Sequence, residues 1–209
     1  MVTSNDAYAE RALLFSDKAW PRDSGKLGAF RFLFLSQNYR MSELNGAVAW
    51  GQLPKVKDSV ERRRKSATSL SEKIASLQGV RAPHVAAETK HAFWLYMLRI
   101  EKESGTTAQE FGKALLAEGV GAWVRYIVDP LYLSPVIADH QTYGTSGYPF
   151  SQFSSQEFVR GLCPNSEKAL DSIIAIQWNE NYTEEHVEML AAAIKKVAAY
   201  FSGKSANGN

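Results

Sequence analysis

The chain has 209 residues, 45% of them apolar and 22% charged, with a formal net charge of +2. This length supports one large domain or two small ones with a buried core. The near balance of charge gives no electrostatic reason to expect nucleic acid or an anionic membrane as partner. No apolar run reaches the roughly 18 residues that a membrane span needs, and residues 1–6 lack the basic and apolar regions of a signal peptide. The one cysteine, Cys163, has no internal disulfide partner. Its presence alone fits a reducing cytoplasm, and its type predicts a small buried role.

In chain order, Ser4 or Asn5 is suited to cap a first helix running to about Lys18, with Tyr8, Ala12 and Phe15 on one face. Pro21, Gly25 and Gly28 mark residues 20–29 as a loop. Ser42 is the expected cap of a second helix, with Glu43 in its first turn. Pro54 lacks an amide hydrogen, so the helix is expected to bend or restart there. A further helical stretch then runs from Lys55 to about Leu77, stopped by Gly79.

Beyond Gly79 the pattern changes. Residues 93–100 are aromatic and branched and predict a strand. Thr107 and Glu110 form a capping box for a helix with Phe111, Leu115 and Leu116 on its face, closed by Gly119. Residues 120–128 predict a second strand. Residues 129–162 predict a long loop whose Tyr and Phe side chains imply an ordered segment covering something. Pro164 opens a short helix, residues 173–176 a short buried strand. Thr183 caps a last helix with the stripe Val187, Leu190, Ala191, Ile194, Val197 and Phe201.

The pattern therefore gives helices over 1–79, a small α+β domain over 80–201 and a disordered tail over 202–209. The first helices have no strands of their own to pack on. The four histidines, His84, His91, His140 and His186, lack metal-ligand spacing, and no metal is expected. The run Arg62 to Lys65, near Glu61 and Glu72, reads as a solvated helix face.

One combination is more specific. Asn38-Tyr39-Arg40-Met41-Ser42-Glu43-Leu44-Asn45 is followed by Ala47, Gln52-Leu53 and Glu61-Arg62-Arg63-Arg64. It resembles a segment of the DegT/DnrJ/StrS family of pyridoxal-phosphate-dependent (PLP) aminotransferases. Val2 to Asp6 with Ala9 to Ala12, Gly119 to Pro135, Cys163 to Glu167 and Trp178 to Glu185 extend the resemblance along nearly the whole chain.

It implies an α/β architecture, the PLP-dependent transferase fold type I. This chain would hold the helical end of the large cofactor-binding domain and the small C-terminal α+β domain. The activity implied is amino transfer from glutamate or glutamine to a keto-sugar or keto-cyclitol in a homodimer. The family's Schiff-base lysine aligns upstream of Met1. No catalytic lysine is therefore assigned, and the chain alone is expected to be inactive, either awaiting an N-terminal half or serving as a non-catalytic partner of a complete relative.

Asn38 matches the asparagine that reaches the cofactor phosphate of the neighbouring subunit, a neutral donor suited to that task. From residue type alone it reads as the end of the preceding segment. Tyr39 stands with it as a substrate-binding candidate. Arg40 suits either an anion or an ion pair with a carboxylate. Arg125-Tyr126 replaces the His-Tyr of many nucleotide-sugar members. Arg125 suits a phosphate or carboxylate, and Tyr126 and Tyr132 suit either substrate contact or packing.

Overall fold

The computed structural model describes residues 2–21, 33, 34, 36–141, 145–153 and 156–207. The loop expected over 20–29 lies mostly outside these residues. The chain divides into two compact units, Met1–Val56 and Lys57–Asn209.

In the first unit, helix α1 (Asp6–Ser16) is capped by Asn5, whose side chain accepts the Tyr8 N–H at 3.1 Å. None of its residues is buried. The chain then turns through Lys18 and Ala19, both at positive φ, and Asp17 pairs with Asn38 in an isolated antiparallel bridge. The Lys18 N–H donates to the Gln37 carbonyl at 2.9 Å, and the Tyr39 N–H to the Ser16 carbonyl at 2.8 Å. Ser42 Oγ accepts the Asn45 N–H at 3.3 Å, opening helix α2 (Glu43–Ile74).

Helix α2 runs unbroken through Pro54, where the sequence led us to expect a bend or restart. Proline removes one helical hydrogen bond; the turns on either side keep theirs, and the helix continues.

The second unit is a four-stranded antiparallel sheet in the order β1 (Val80–Arg81), β2 (Leu95–Ile100), β4 (Ile173–Gln177), β3 (Ala122–Val124). Strand β1, two residues long, is below the length at which sequence alternation is legible. Tyr96 sits opposite Ile176, and Ile176 opposite Ala122. Tyr96, Leu98, Ile174 and Ile176 are buried in one core with Ala67, Leu70 and Ile74 of α2. Phe111 and Leu115 of α3 (Ala108–Ala117) join the same core, as do Val187, Leu190, Ala191, Ile194 and Val197 of α7 (Glu184–Asn207).

The capping box of α3 is formed: Thr107 Oγ1 accepts the Glu110 N–H at 3.2 Å, and Glu110 Oε2 accepts the Thr107 N–H at 3.4 Å. Leu116, expected on the buried face, is exposed, because it lies one residue, about 100° of helix, beyond Leu115. Gly79 takes φ +69°, and a Cβ there would lie 2.0 Å from the Ser104 nitrogen, so the turn into β1 requires glycine.

Strand β3 ends at Val124 rather than near Val128, since Arg125 adopts φ +51° and breaks the extended backbone. Among its described residues, the expected loop over 129–162 contains a 3-10 turn (Leu131–Leu133) and the short helices α4 (Pro135–Ala138) and α5 (Phe150–Phe153). Helix α6 (Pro164–Ser172) then leads directly into β4. Cys163 precedes α6 and is exposed, not buried as its type suggested. Helix α7 continues to Asn207, past the point where small polar residues were expected to fray it.

One indole ties α2 to the sheet. Trp178, directly after β4, donates its Nε1–H to the Arg63 carbonyl at 3.1 Å and to Ser66 Oγ at 3.2 Å. Its ring packs with Tyr96 and Tyr182 at centroid distances of 5.2 and 4.5 Å. Arg63 binds Glu180 Oε2 through Nε at 2.8 Å and Nη2 at 2.7 Å.

Replacing Trp178 by Ala is expected to destabilise the second unit by about 3–5 kcal/mol, the range for a large aromatic removed from a core. Urea denaturation followed by circular dichroism measures it. Thr107→Ala removes a helix cap only and is expected to cost about 1 kcal/mol in the same assay.

Candidate functional site

The residues singled out in the sequence fall into two groups, one in each unit.

In the first unit, the bridge between Asp17 and Asn38 sets the local geometry. Asp17 is buried. Arg40 Nε lies 3.3 Å from Asp17 Oδ1 and donates to Asn38 Oδ1 at 3.3 Å. Arg40 is thus held in an ion pair, with a carboxylate at the end of α1. Asn38 Oδ1 accepts from Arg40, and the Nδ2 hydrogens are the donors of this exposed amide. Tyr39 is exposed and stacks on Phe15 at 6.2 Å. Asp17, the residue that organises this group, carries no sequence signal beyond its charge.

In the second unit, Arg125 follows β3 in the left-handed region, a costly position for a non-glycine residue that surrounding contacts must hold. Its Nη2 donates to the Val128 carbonyl at 2.5 Å and lies 3.4 Å from Asp129 Oδ1; Asp171 Oδ1 is 4.0 Å from its Nε. Tyr126 stacks on Trp123 at 5.7 Å and meets the edge of Trp94 at 6.2 Å. Trp94, Trp123 and Tyr126 are all exposed.

Tyr132 donates its hydroxyl to Glu167. Glu167 Oε1 also accepts the Gly161 N–H at 2.6 Å, and its Oε2 lies 3.8 Å from Arg160 Nη1. The Tyr132 hydroxyl and the Gly161 N–H hold the Glu167 carboxyl below the usual glutamate range. Burial, followed by the adjacent carboxylate, pushes the Tyr132 phenol up. Asp129 Oδ1 accepts from Arg160 Nη2 at 2.6 Å. Arg125 and Tyr132 thus belong to one ion and hydrogen-bond network, while Tyr126 belongs to the aromatic cluster beside it.

Asp129, Arg160 and Glu167 received no site role from the sequence. Of the three, only Glu167 left a signal, as an acid in the first turn of α6. A separate groove is lined by Arg81, Arg99, Glu101, Asn165, Lys168 and Ser172. There Glu101 takes both arginines, at 2.9 and 2.6 Å, and their positive charge is met internally. Among the described residues no cluster of His, Cys, Asp and Glu is suited to a metal ion, and no helix is long and apolar enough to cross a membrane.

Residues 1–195 match the DegT/DnrJ/EryC1/StrS aminotransferase family. The chain belongs to this family. It is 31% identical over 141 residues to GDP-perosamine synthase of Caulobacter vibrioides, an alignment covering 66% of this chain and 36% of that protein. It is 29% identical over 158 residues to the spore coat polysaccharide biosynthesis protein SpsC of Bacillus subtilis, covering 71% and 40%.

Among solved structures it resembles S. venezuelae DesV in complex with a ketimine intermediate (TM-score 0.72, 19% identity, 94% of this chain and 46% of that one). It also resembles Helicobacter pylori PseC, an aminotransferase involved in the biosynthesis of pseudoaminic acid (TM-score 0.67, 18% identity, 95% and 48%). The fold is therefore that of part of a fold type I PLP-dependent transferase. The chain spans between a third and a half of the length of these relatives.

The depressed Glu167 carboxyl gives a sign for pH. Its folded-state pKa is lowered, so its contribution is present above the ordinary glutamate pKa of about 4.3 and is lost as pH falls through the folded value. Amide exchange at Gly161 is expected to accelerate, beyond its intrinsic pH dependence, as pH falls below the ordinary glutamate range. In Glu167→Gln this extra acceleration is expected to be absent. Hydrogen exchange followed by mass spectrometry across pH 3 to about 6 checks this.

Proposed function

We propose that this chain is the C-terminal part of a PLP-dependent aminotransferase that moves an amino group from glutamate or glutamine to a keto-sugar or keto-cyclitol, in the making of sugar, cell-surface polysaccharide or antibiotic precursors. The observation that carries this reading is the Asp17–Arg40–Asn38 arrangement within the matched family segment. It engages the amide oxygen of Asn38 and leaves its N–H groups for the phosphate of a cofactor held by a neighbouring subunit. The two relatives, a GDP-perosamine synthase and a spore coat polysaccharide biosynthesis protein, support the sugar class of substrate.

When bound, PLP supplies an electron sink for amino transfer. The residues present fit its phosphate end through Asn38. Tyr39, Arg125, Tyr126 and Tyr132 are the proposed substrate-facing side chains, with Arg125 suited to an anionic group.

The covalent end is different. A Schiff-base lysine must be neutral to react, which favours a desolvated position or a neighbouring cation. Among the described residues no lysine is buried. Lys73 is half-buried, but the hydrogen bonds it donates to Glu188 and Glu184 push its pKa up, the wrong direction. Lys196 is paired with Glu118 at 2.7 Å. Together with the family resemblance, which puts the Schiff-base lysine upstream of Met1, this supports a reactive amine outside the described residues.

Exposed apolar side chains along the first half of α2, among them Leu44, Val48, Trp50 and Leu53, support assembly with the rest of such a subunit, and the enzyme is proposed to act as a homodimer. The lysine observation equally favours a second reading, in which the chain is a non-catalytic partner lending Asn38 to a complete relative. Co-purification with a full-length aminotransferase, or with a separate N-terminal half, separates the two.

The purified chain incubated with PLP and borohydride is expected to show no stoichiometric adduct at any single lysine by peptide mass spectrometry. One specifically modified lysine with a matching visible band would sink the reading.

A further inference from the structure

The segment from Asp129 to Leu162 departs from the sheet and returns to it with little apolar anchorage. Among its described residues only Pro130 is buried. Its described aromatic residues form a local cluster: His140 stacks on Phe150 at 4.7 Å, and Phe158 meets both rings edge-on at 6.5 and 6.2 Å.

Polar contacts tie its ends together: Glu167 receives the Tyr132 hydroxyl and the Gly161 N–H, and Arg160 links Glu167 to Asp129. Arg160 Nη2 donates to Asp129 Oδ1 at 2.6 Å, across 31 residues. Arg160 Nη1 lies 3.8 Å from Glu167 Oε2. Beyond these two carboxylates lie two proposed substrate-facing residues. Asp129 Oδ1 is also 3.4 Å from Arg125 Nη2, and Glu167 accepts the Tyr132 hydroxyl. The order Arg125–Asp129–Arg160–Glu167–Tyr132 therefore alternates carboxylates with their partners, joined by hydrogen bonds except at Arg160–Glu167, which is an ion pair.

We propose that Arg160 is a positioning residue: its guanidinium, spanning Asp129 and Glu167, clasps the two ends of the 129–162 loop and thereby holds Arg125 in its left-handed turn and Tyr132 in place. The inference rests on the reading of Arg125 and Tyr132 as substrate-facing, but the clasp itself is tested without cofactor or substrate.

A planar guanidinium can hydrogen-bond Asp129 through Nη2 while its Nη1 stays in ion-pair range of Glu167, whereas a lysine ammonium is a point charge on a flexible stem. Arg160 is 52% exposed and Asp129 42% exposed, so their pairing is open to screening by salt.

The test is hydrogen exchange with near-ultraviolet circular dichroism on the 209-residue chain. In Arg160→Ala, exchange is expected to rise about tenfold or more over 131–141 and 156–162, with amides of β2 and β4 unchanged, as for release of one local unit. The near-ultraviolet signal of Trp123, Tyr126 and Trp94 is expected to fall as the turn at Arg125 loosens. Arg160→Lys is expected not to restore the parent behaviour, and molar salt is expected to move the parent toward the variant. Asp129→Asn, a milder change, is expected to loosen the Arg125 side in the same dichroism signal. Lys196→Ala, which removes a surface pair with Glu118, is expected to change neither readout.

Parent-like exchange in Arg160→Ala, an increase spread through β2 and β4, full rescue by lysine, or an unaltered dichroism signal in both Arg160→Ala and Asp129→Asn would each overturn the proposal. Since no readout involves PLP, such a result leaves the amino-transfer reading standing. A specific lysine adduct would remove that reading and leave the clasp.

Discussion

The second unit depends on the docking of a long helix onto a sheet through Trp178. The indole has a large apolar body and one donor. The body fills the space between Tyr96 and Tyr182, and the donor finds the Arg63 carbonyl and the Ser66 hydroxyl. A buried indole N–H without an acceptor is costly, and these partners remove that cost at the point where α2 crosses the sheet. Once α2 is seated, Leu70 and Ile74 close the same core that α3 and α7 close from their own helices.

Around this core the polar chemistry is arranged at the margins. Arg125 and Tyr126 follow the end of β3, and Glu167 lies in the helix that leads into β4. The strands give these side chains fixed points of departure, and the irregular backbone between them gives them reach. In the first unit the same task falls to a single backbone bridge between Asp17 and Asn38. Functional groups placed on segments with so few buried neighbours depend on local hydrogen bonds for their orientation, and a carboxylate stands beside both proposed cations: Asp17 by Arg40 and Asp129 by Arg125.

Much of the periodic structure was legible in the sequence, and for a physical reason. The stripe from Val187 to Val197 and the apolar residues of β2 and β4 are dictated by burial on one face, which leaves a pattern. The Thr107–Glu110 box was legible because capping has a fixed spacing. Pro54 misled, because a proline's local cost does not reveal whether the turns around it hold. Val120 to Val128 misled in the other direction, since branched residues favour extension while Arg125 turns left-handed under contacts made from residues 128 to 171. The candidate residues Asn38, Tyr39, Arg40, Arg125, Tyr126 and Tyr132 came from a family resemblance rather than from periodicity. Their carboxylate partners lie far off in sequence, or carry no spacing rule, and only the folded chain brings them together.

The order of strands has a consequence for how the sheet is made. Strands β2 and β3 are not paired to each other; both pair with β4, which follows β3 in the chain after the whole 129–162 loop and α6. On a ribosome, therefore, the first of these strands emerges with only the two residues of β1 beside it, and the other with no edge to meet. The middle of the sheet is the last part of it to be synthesised. Long-range pairing of this kind is slow to nucleate and leaves strand edges unpaired in the interval. Translation speed and chaperone occupancy between residues 124 and 173 should therefore matter more to the yield of native protein than they do for a chain whose neighbouring strands follow one another.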